Sequence, residues 1–409
     1  VRGDAARLYR GKHMNGLSRS RGRGCVLLGF SALLTVGPAL AGGEPPVLQG
    51  LTKITTIAST VPANGDVNPY GMAQVKHTTG NLRAGHILIS NFNNSTNQQG
   101  TGTTIMDVAP DGTVSLFAPI NAAALPGSCP GGVGLTTALV VLEQGWVIVG
   151  SLPTNSEGAI SGSGCLIVLD SLGNPVETFY GSLINGPWDM TALDGTHEAR
   201  LFVTNVLNRT VAGNGAVVNG GTVTRLNLKV SASAMPMLES ITVIGSGFGE
   251  RLDPAALVVG PTGVALRTHC SGEGDNCGDQ EGDREGNGDD GSLLYIADTV
   301  NSRIAVIDHP LGRTTSAGTG RILTAGGSLN GPLGLTVTPG GDLLTVNAGD
   351  GFITEIGPNG AQRAKFQLDD TIVPGSPNGA GTLFGVLFDP AHGVYFVDDG
   401  SNTVNLLHH

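Results

Sequence analysis

The sequence predicts an all-β fold, a six-bladed β-propeller of four-stranded antiparallel blades. Three observations lead there. Of the 409 residues, 65 are Gly and 13% are charged, with no three-residue Gly period, which excludes collagen; abundant Val, Ile, Leu and Thr exclude disorder. Short apolar runs bounded by Gly, Pro, Asn and Asp recur in groups of four, the pattern of antiparallel strands joined by tight turns. The sixth and last group has only three runs, and a lone run, Leu51 to Ala58, precedes the first group. Pairing that run with Thr403 to Leu407 completes the last blade and removes the exposed edge of an open array.

The unit from Asn330 to Phe366 shows the pattern most clearly. It opens Asn330-Gly331-Pro332-Leu333-Gly334, turns at Pro339-Gly340-Gly341-Asp342 and again at Gly357-Pro358-Asn359-Gly360. Its sisters open at Asn68-Pro69-Tyr70-Gly71, Gly131-Gly132-Val133-Gly134, Gly186-Pro187-Trp188-Asp189, Gly260-Pro261-Thr262-Gly263 and Thr382-Leu383-Phe384-Gly385. The fourth opening positions lie 63, 55, 74, 71 and 51 residues apart, which are propeller periods lengthened by loop insertions. The run Gly245-Ser246-Gly247-Phe248-Gly249 reads as turn glycines after the strand Glu239 to Ile244.

Residues 1–41 read as a secretory signal peptide. Arg19, Arg21 and Arg23 precede the apolar stretch Val26 to Leu40, and Ala39-Leu40-Ala41 has the small-x-small form of a cleavage site. The expected destination is the periplasm or the extracellular space, with no membrane span after cleavage and a Pro- and Gly-rich linker over 42–50. The whole chain carries a net charge of −11; without the leader, 15 basic residues face 32 acidic ones, near −17. Such a surface repels phosphate backbones, so nucleic acid is not an expected partner. The four remaining cysteines suit two disulfides in an oxidising compartment, Cys129 with Cys165 and Cys270 with Cys277, because each pair falls within one repeat.

Candidate chemistry sits where the units carry polar residues or differ. Asn91, Ser151, Asn205, Asp298, Asn347 and Asp398 follow the second strand of each unit. They are ligand-binding candidates, although short polar side chains at such turns also bond the nearby backbone. Asp189 stands where other openings have Gly, and it is the candidate for binding a ligand or a divalent cation such as calcium. Trp188 beside it, and Tyr70 at the corresponding place in the first unit, would supply apolar walls. The insertion Cys270 to Gly291, rich in Gly and Asp, is a weaker calcium candidate, lacking the D-x-[DN]-x-[DN]-G order of a calcium loop. No HxH, HExxH or GxSxG spacing marks a histidine metal site or a nucleophile elbow.

The segment Tyr295-Ile296-Ala297-Asp298-Thr299-Val300-Asn301-Ser302-Arg303-Ile304, after Gly260-Pro261-Thr262-Gly263, resembles the NHL repeat. Over about residues 51–407 the six units together are similar to exported bacterial NHL-repeat proteins. The resemblance implies a binding or scaffold protein, expected as a monomer, that meets a protein, glycan or small polar molecule through rim loops such as Asn91 to Gly102 and Asn205 to Gly221. Related propellers include gluconolactonase-like lactonases and lyases, so the alternative is a metal-dependent hydrolase or lyase with its site in the central channel. No catalytic residue carries over from those families.

Overall fold

The computed structural model describes residues 45–268 and 291–409. The expected signal peptide, the expected Cys270–Cys277 disulfide and nearly all of the acidic insertion lie outside the described residues. Among the described residues, no helix is long and apolar enough to cross a membrane.

Six antiparallel sheets follow one another in chain order, each with its first strand innermost. The inner strands are Val67–Gln74, Leu135–Val141, Pro187–Asp194, Pro261–Arg267, Pro332–Val337 and Leu383–Asp389. Lys53–Ser59 pairs with Thr403–His408, so the predicted closure of the sixth blade is present. Their register, Lys53 with His408 through Ser59 with Thr403, is broken by one irregularity near Ile57.

Burial follows the repeat. Second and third strands such as Ile87–Asn93, Cys165–Leu169 and Leu343–Asn347 are buried along their whole length, because each blade is packed on both faces by its neighbours. Each interface between neighbouring blades has its own apolar cluster, for example Leu88, Ile105, Leu135, Val149 and Ile167 between blades one and two. The interface between blades six and one is continuous with a further cluster at the centre of the ring, containing Tyr70, Phe92, Trp188, Leu333 and Phe384.

Two features depart from the sequence reading. The fourth strand of blade three runs over Met237–Asp253 and is followed by a fifth, Leu257–Val259, so Gly245 to Gly249 lie within a strand and not in a turn. The pairing with Val218–Lys229 contains several register irregularities, and Gly247 has φ +83°, so these glycines bend a long strand where β-bulges need them. Residues 47–50 are a helical turn instead of a free linker: the Val47 and Leu48 amides each donate to the Glu355 carboxylate at 2.8 Å. Cys129 and Cys165 form the expected disulfide, with their Cα atoms 5.1 Å apart.

The closing strand has a direct test. A chain lacking residues 1–59 should expose the edge of Thr403–His408 and self-associate or unfold, as followed by size-exclusion chromatography and circular dichroism. A monomer of unchanged stability would contradict the closure.

Candidate functional site

The six inner strands converge on a central channel, and their approach is closest where the units carry Gly. A Cβ at Gly71 would stand 2.7 Å from the Thr137 carbonyl oxygen of the next blade. At Gly263, Gly334 and Gly385 it would overlap the carbonyls of Leu333, Phe384 and Tyr70. Four of the six junctions are therefore backbone against backbone, and only Gly fits there.

The other two junctions correct the sequence alignment. In blade two the pairings corresponding to Pro69 with Asn91 and Met72 with Ile89 are Leu135 with Ser151 and Leu139 with Val149, so this inner strand has one extra residue. Gly134 is thus the counterpart of Gly186 and Gly260, and Thr137 occupies the channel position. In blade three that position is Asp189. Both side chains reach the next blade: the Thr137 hydroxyl donates to the Trp188 carbonyl, and Asp189 Oδ2 accepts the Val264 amide at 3.0 Å. Where Gly is replaced, a side-chain bridge takes the place of direct backbone contact.

The channel opens at the C-terminal ends of the inner strands. It forms a cavity of about 330 Å³ whose lining mixes apolar residues such as Met72 and Val386 with polar ones such as Thr137, Thr191 and Thr336. Lys76, Glu143 and Asp194 stand at its mouth, and Asp189 is the one carboxylate within. Protein encloses Asp189, although channel water reaches it, and burial pushes its pKa up to about 7 against the pull of the Val264 and Met190 amides. Asp194 is raised to about 6, chiefly by burial, while the amide of Glu143 donates to it.

The opposite end of the channel is closed. Tyr70 stacks on Phe384 at 4.0 Å and on Phe92 at 4.5 Å, with Trp188 at 6.2 Å. All four side chains are buried. Over them folds the hairpin formed by the end of Met237–Asp253 and Leu257–Val259: Trp188 Nε1 donates to the Val258 carbonyl at 3.1 Å, and Ala256 and Val259 pack on the ring cluster. Tyr70 and Trp188 therefore form a plug beneath the channel instead of a wall facing a ligand.

Of the residues after the second strands, Asn91, Ser151, Asn205, Asp298 and Asn347 are fully buried and bonded within or beside their own blades. Asn91 Nδ2 donates to Thr60 O and Thr104 Oγ1, Asn205 Oδ1 accepts the Asn185 amide, and Asn347 Oδ1 accepts the Asn330 amide. Asp298 accepts from Asn301 Nδ2 and from Arg303 Nε at 2.6 Å, which is the physical content of the Asp-x-x-Asn-x-Arg pattern. Asp398 accepts from the Ser401 amide and hydroxyl. These residues ring the fold and do not converge with Asp189.

A divalent cation does not fit this channel. Calcium takes six to eight oxygens, several of them carboxylate, and Asp189 is the sole carboxylate at its depth, already engaged with a backbone amide. Among the described residues no group of three or more His, Cys, Asp or Glu side chains is placed to hold a metal.

No protein-family model matches the chain, and no curated protein matches it. Among solved structures, a gluconolactonase from Xanthomonas campestris is similar, with a TM-score of 0.51 at 13% identity over 89% of this chain and 94% of that one. A virginiamycin B lyase from Staphylococcus aureus (TM-score 0.44, 14% identity, 87% and 99% covered) and regucalcin, a calcium-binding protein from Agrobacterium tumefaciens (0.47, 13%, 86% and 94%), are also similar. The likeness is one of fold. It places the chain among six-bladed propellers with four-stranded antiparallel blades.

The state of Asp189 is open to measurement. Its folded pKa lies above the unfolded value, so its contribution to stability is full below about pH 4 and is lost as pH rises toward 7. The rise corresponds to at most roughly 4 kcal/mol. Asp189→Asn should therefore stabilise the protein relative to wild type at pH 8 and be near neutral below about pH 4, by urea denaturation. An equal effect at both pH values would show that Asp189 is not held in this way.

Proposed function

We propose that the protein is a small-molecule-binding propeller that takes its ligand into the blind central channel. The observation that carries this reading is a single carboxyl, poised near neutral pH, at the depth of a cavity of mixed polar and apolar lining with one open end. The ligand class is a compact polar molecule with one hydrogen-bonding end directed at Asp189. A carboxyl near its pKa both donates and accepts hydrogen bonds, so Asp189 suits a carbonyl or hydroxyl head. Lys76, Glu143 and Asp194 would screen what enters.

The same carboxyl supports a second reading, hydrolysis or elimination of lactone type with Asp189 as general acid or base. A solved structure of similar fold is named a gluconolactonase, which makes lactones sensible first substrates to try. Because the donors do not fit a divalent ion, this chemistry would have to rest on Asp189 and the backbone groups around it.

Export and NHL kinship belong to the same proposal. The Cys129–Cys165 disulfide supports an oxidising compartment, and the Asp298–Arg303 pair supports the repeat assignment.

Ligand-observed NMR with γ- and δ-lactones and their hydroxy acids tests both readings. Binding should occur in wild type and disappear in Thr191→Trp, which fills the channel. Turnover that is lost in Asp189→Asn would favour the enzyme, and binding without turnover the binding protein. Binding that survives Thr191→Trp would remove the channel from both.

A further inference from the structure

Between the helical turn at residues 47–50 and the turn that joins Leu383–Asp389 to Gly393–Asp398 lies a second cavity, of about 510 Å³. It shares no lining residue with the channel, and its argument does not rest on the reading given above. Pro46, Val47 and Leu51 line one side, and Phe388 and Pro390 the other. The first wall is fixed in place: the Glu355 carboxylate accepts the Val47 and Leu48 amides, and Leu48 and Leu51 are buried among residues of blades five and six. The polar and titratable residues at the border are Gln49, Asp389, His392 and His409.

Asp389 and His392 act as a pair. Asp389 Oδ1 accepts the Ala391 amide at 2.8 Å, while Oδ2 accepts Gln74 Nε2 at 2.9 Å and faces His392 Nδ1 at 3.0 Å. Burial works to raise the Asp389 pKa, but these three bonds outweigh it and hold the carboxyl below its usual value. Asp389 is therefore ionised at neutral pH and can only accept, so a neutral His392 ring carries its proton on Nδ1. Nε2 keeps its lone pair and has no hydrogen-bond partner among the described residues. The ring is seated edge-on against Tyr395, with centroids 6.4 Å apart. The His392 side chain is 52% exposed and that of Asp389 10%, so His392 is the member of the pair that a ligand can reach.

The cavity thus combines apolar walls with one oriented acceptor, its tautomer set by a carboxylate in the manner of a catalytic His–Asp pair. We propose that it binds a phenol, whose ring lies between the Pro46 and Pro390 walls and whose hydroxyl donates to His392 Nε2. A phenol offers one donor on a flat apolar body, which matches both features of the site. A carboxylate would set its oxygens against an acceptor and beside the ionised Asp389. An alkylammonium ion would have to compete for an Asp389 that is already bonded three times, and would give up its hydration to apolar walls.

The test combines calorimetry at pH 8 with nitrogen-15 spectra of the histidine rings. The spectra should show the His392 proton on Nδ1, and 4-methylphenol should bind and shift the Nε2 signal. 4-Methylanisole, with the same ring and no O–H, should bind about tenfold more weakly, the loss expected for one hydrogen bond. His392→Phe keeps a ring in place and should weaken 4-methylphenol by a similar factor. Asp389→Asn sets an amide donor opposite Nδ1, which moves the ring proton to Nε2 and turns the acceptor into a donor. Phenol binding should then fall, and 4-methylacetophenone, which offers a carbonyl acceptor, should bind better than it does to wild type. Asp189→Asn should change neither result. The proposal is overturned if 4-methylphenol does not bind, if 4-methylanisole binds equally well, if His392→Phe binds as wild type does, or if binding is lost in His409→Ala and kept in His392→Phe.

Discussion

The structure depends on how closely six inner strands can approach around one axis. At four junctions the answer is backbone contact, which Gly71, Gly263, Gly334 and Gly385 alone permit. At the other two a side chain spans the gap: Thr137 bonds to blade three, and Asp189 joins blade three to blade four. The ring therefore closes through two kinds of junction, backbone contact at four and a side-chain bridge at two. Asp189 is first a structural spacer. Its chemistry follows from being a carboxyl largely removed from water and held by a backbone amide of the next blade.

The second constraint is the plug. Four aromatic side chains and Leu333 fill one end of the ring, and Trp188 is fastened to a hairpin that, among the described residues, only blade three carries. A through-channel becomes a blind cavity with one mouth. The opposite face becomes a floor on which the turn at Asp399 and the start of the first inner strand can build a separate polar pocket. Two faces of one ring thus acquire different surroundings: a recess of mixed lining that holds Asp189, and a separate cavity bordered by Gln99 and Asp399.

Much of the fold was legible in the sequence because it follows from periodicity. Strand runs, turn glycines and the orphan strand at Lys53–Ser59 are local signals, and closure follows from counting strands. The misplaced register in blade two has a physical reason: Gly134 fits the Gly-x-x-Gly pattern, and only the strand pairing reveals the extra residue that puts Thr137 in the channel. The long fourth strand of blade three was hidden because bulge glycines look like turn glycines. The departure at Asp189 was readable as a break in the repeat. The plug was not, since Tyr70, Phe92, Trp188 and Phe384 are distant in sequence and only the ring brings them together.

The sealed end of the channel is the central claim, and Trp188 reports on it most directly. Its indole N–H is buried and donates to the Val258 carbonyl beneath the hairpin, whereas Trp146, the other tryptophan, is partly exposed and bonds Ser231. Hydrogen exchange of the two indole N–H groups, followed by NMR, separates them. The structure predicts that Trp188 exchanges only through large-scale opening, far more slowly than Trp146. Exchange of Trp188 at the rate of a free indole would mean that the hairpin does not seal the ring, and the blind-channel account would be wrong.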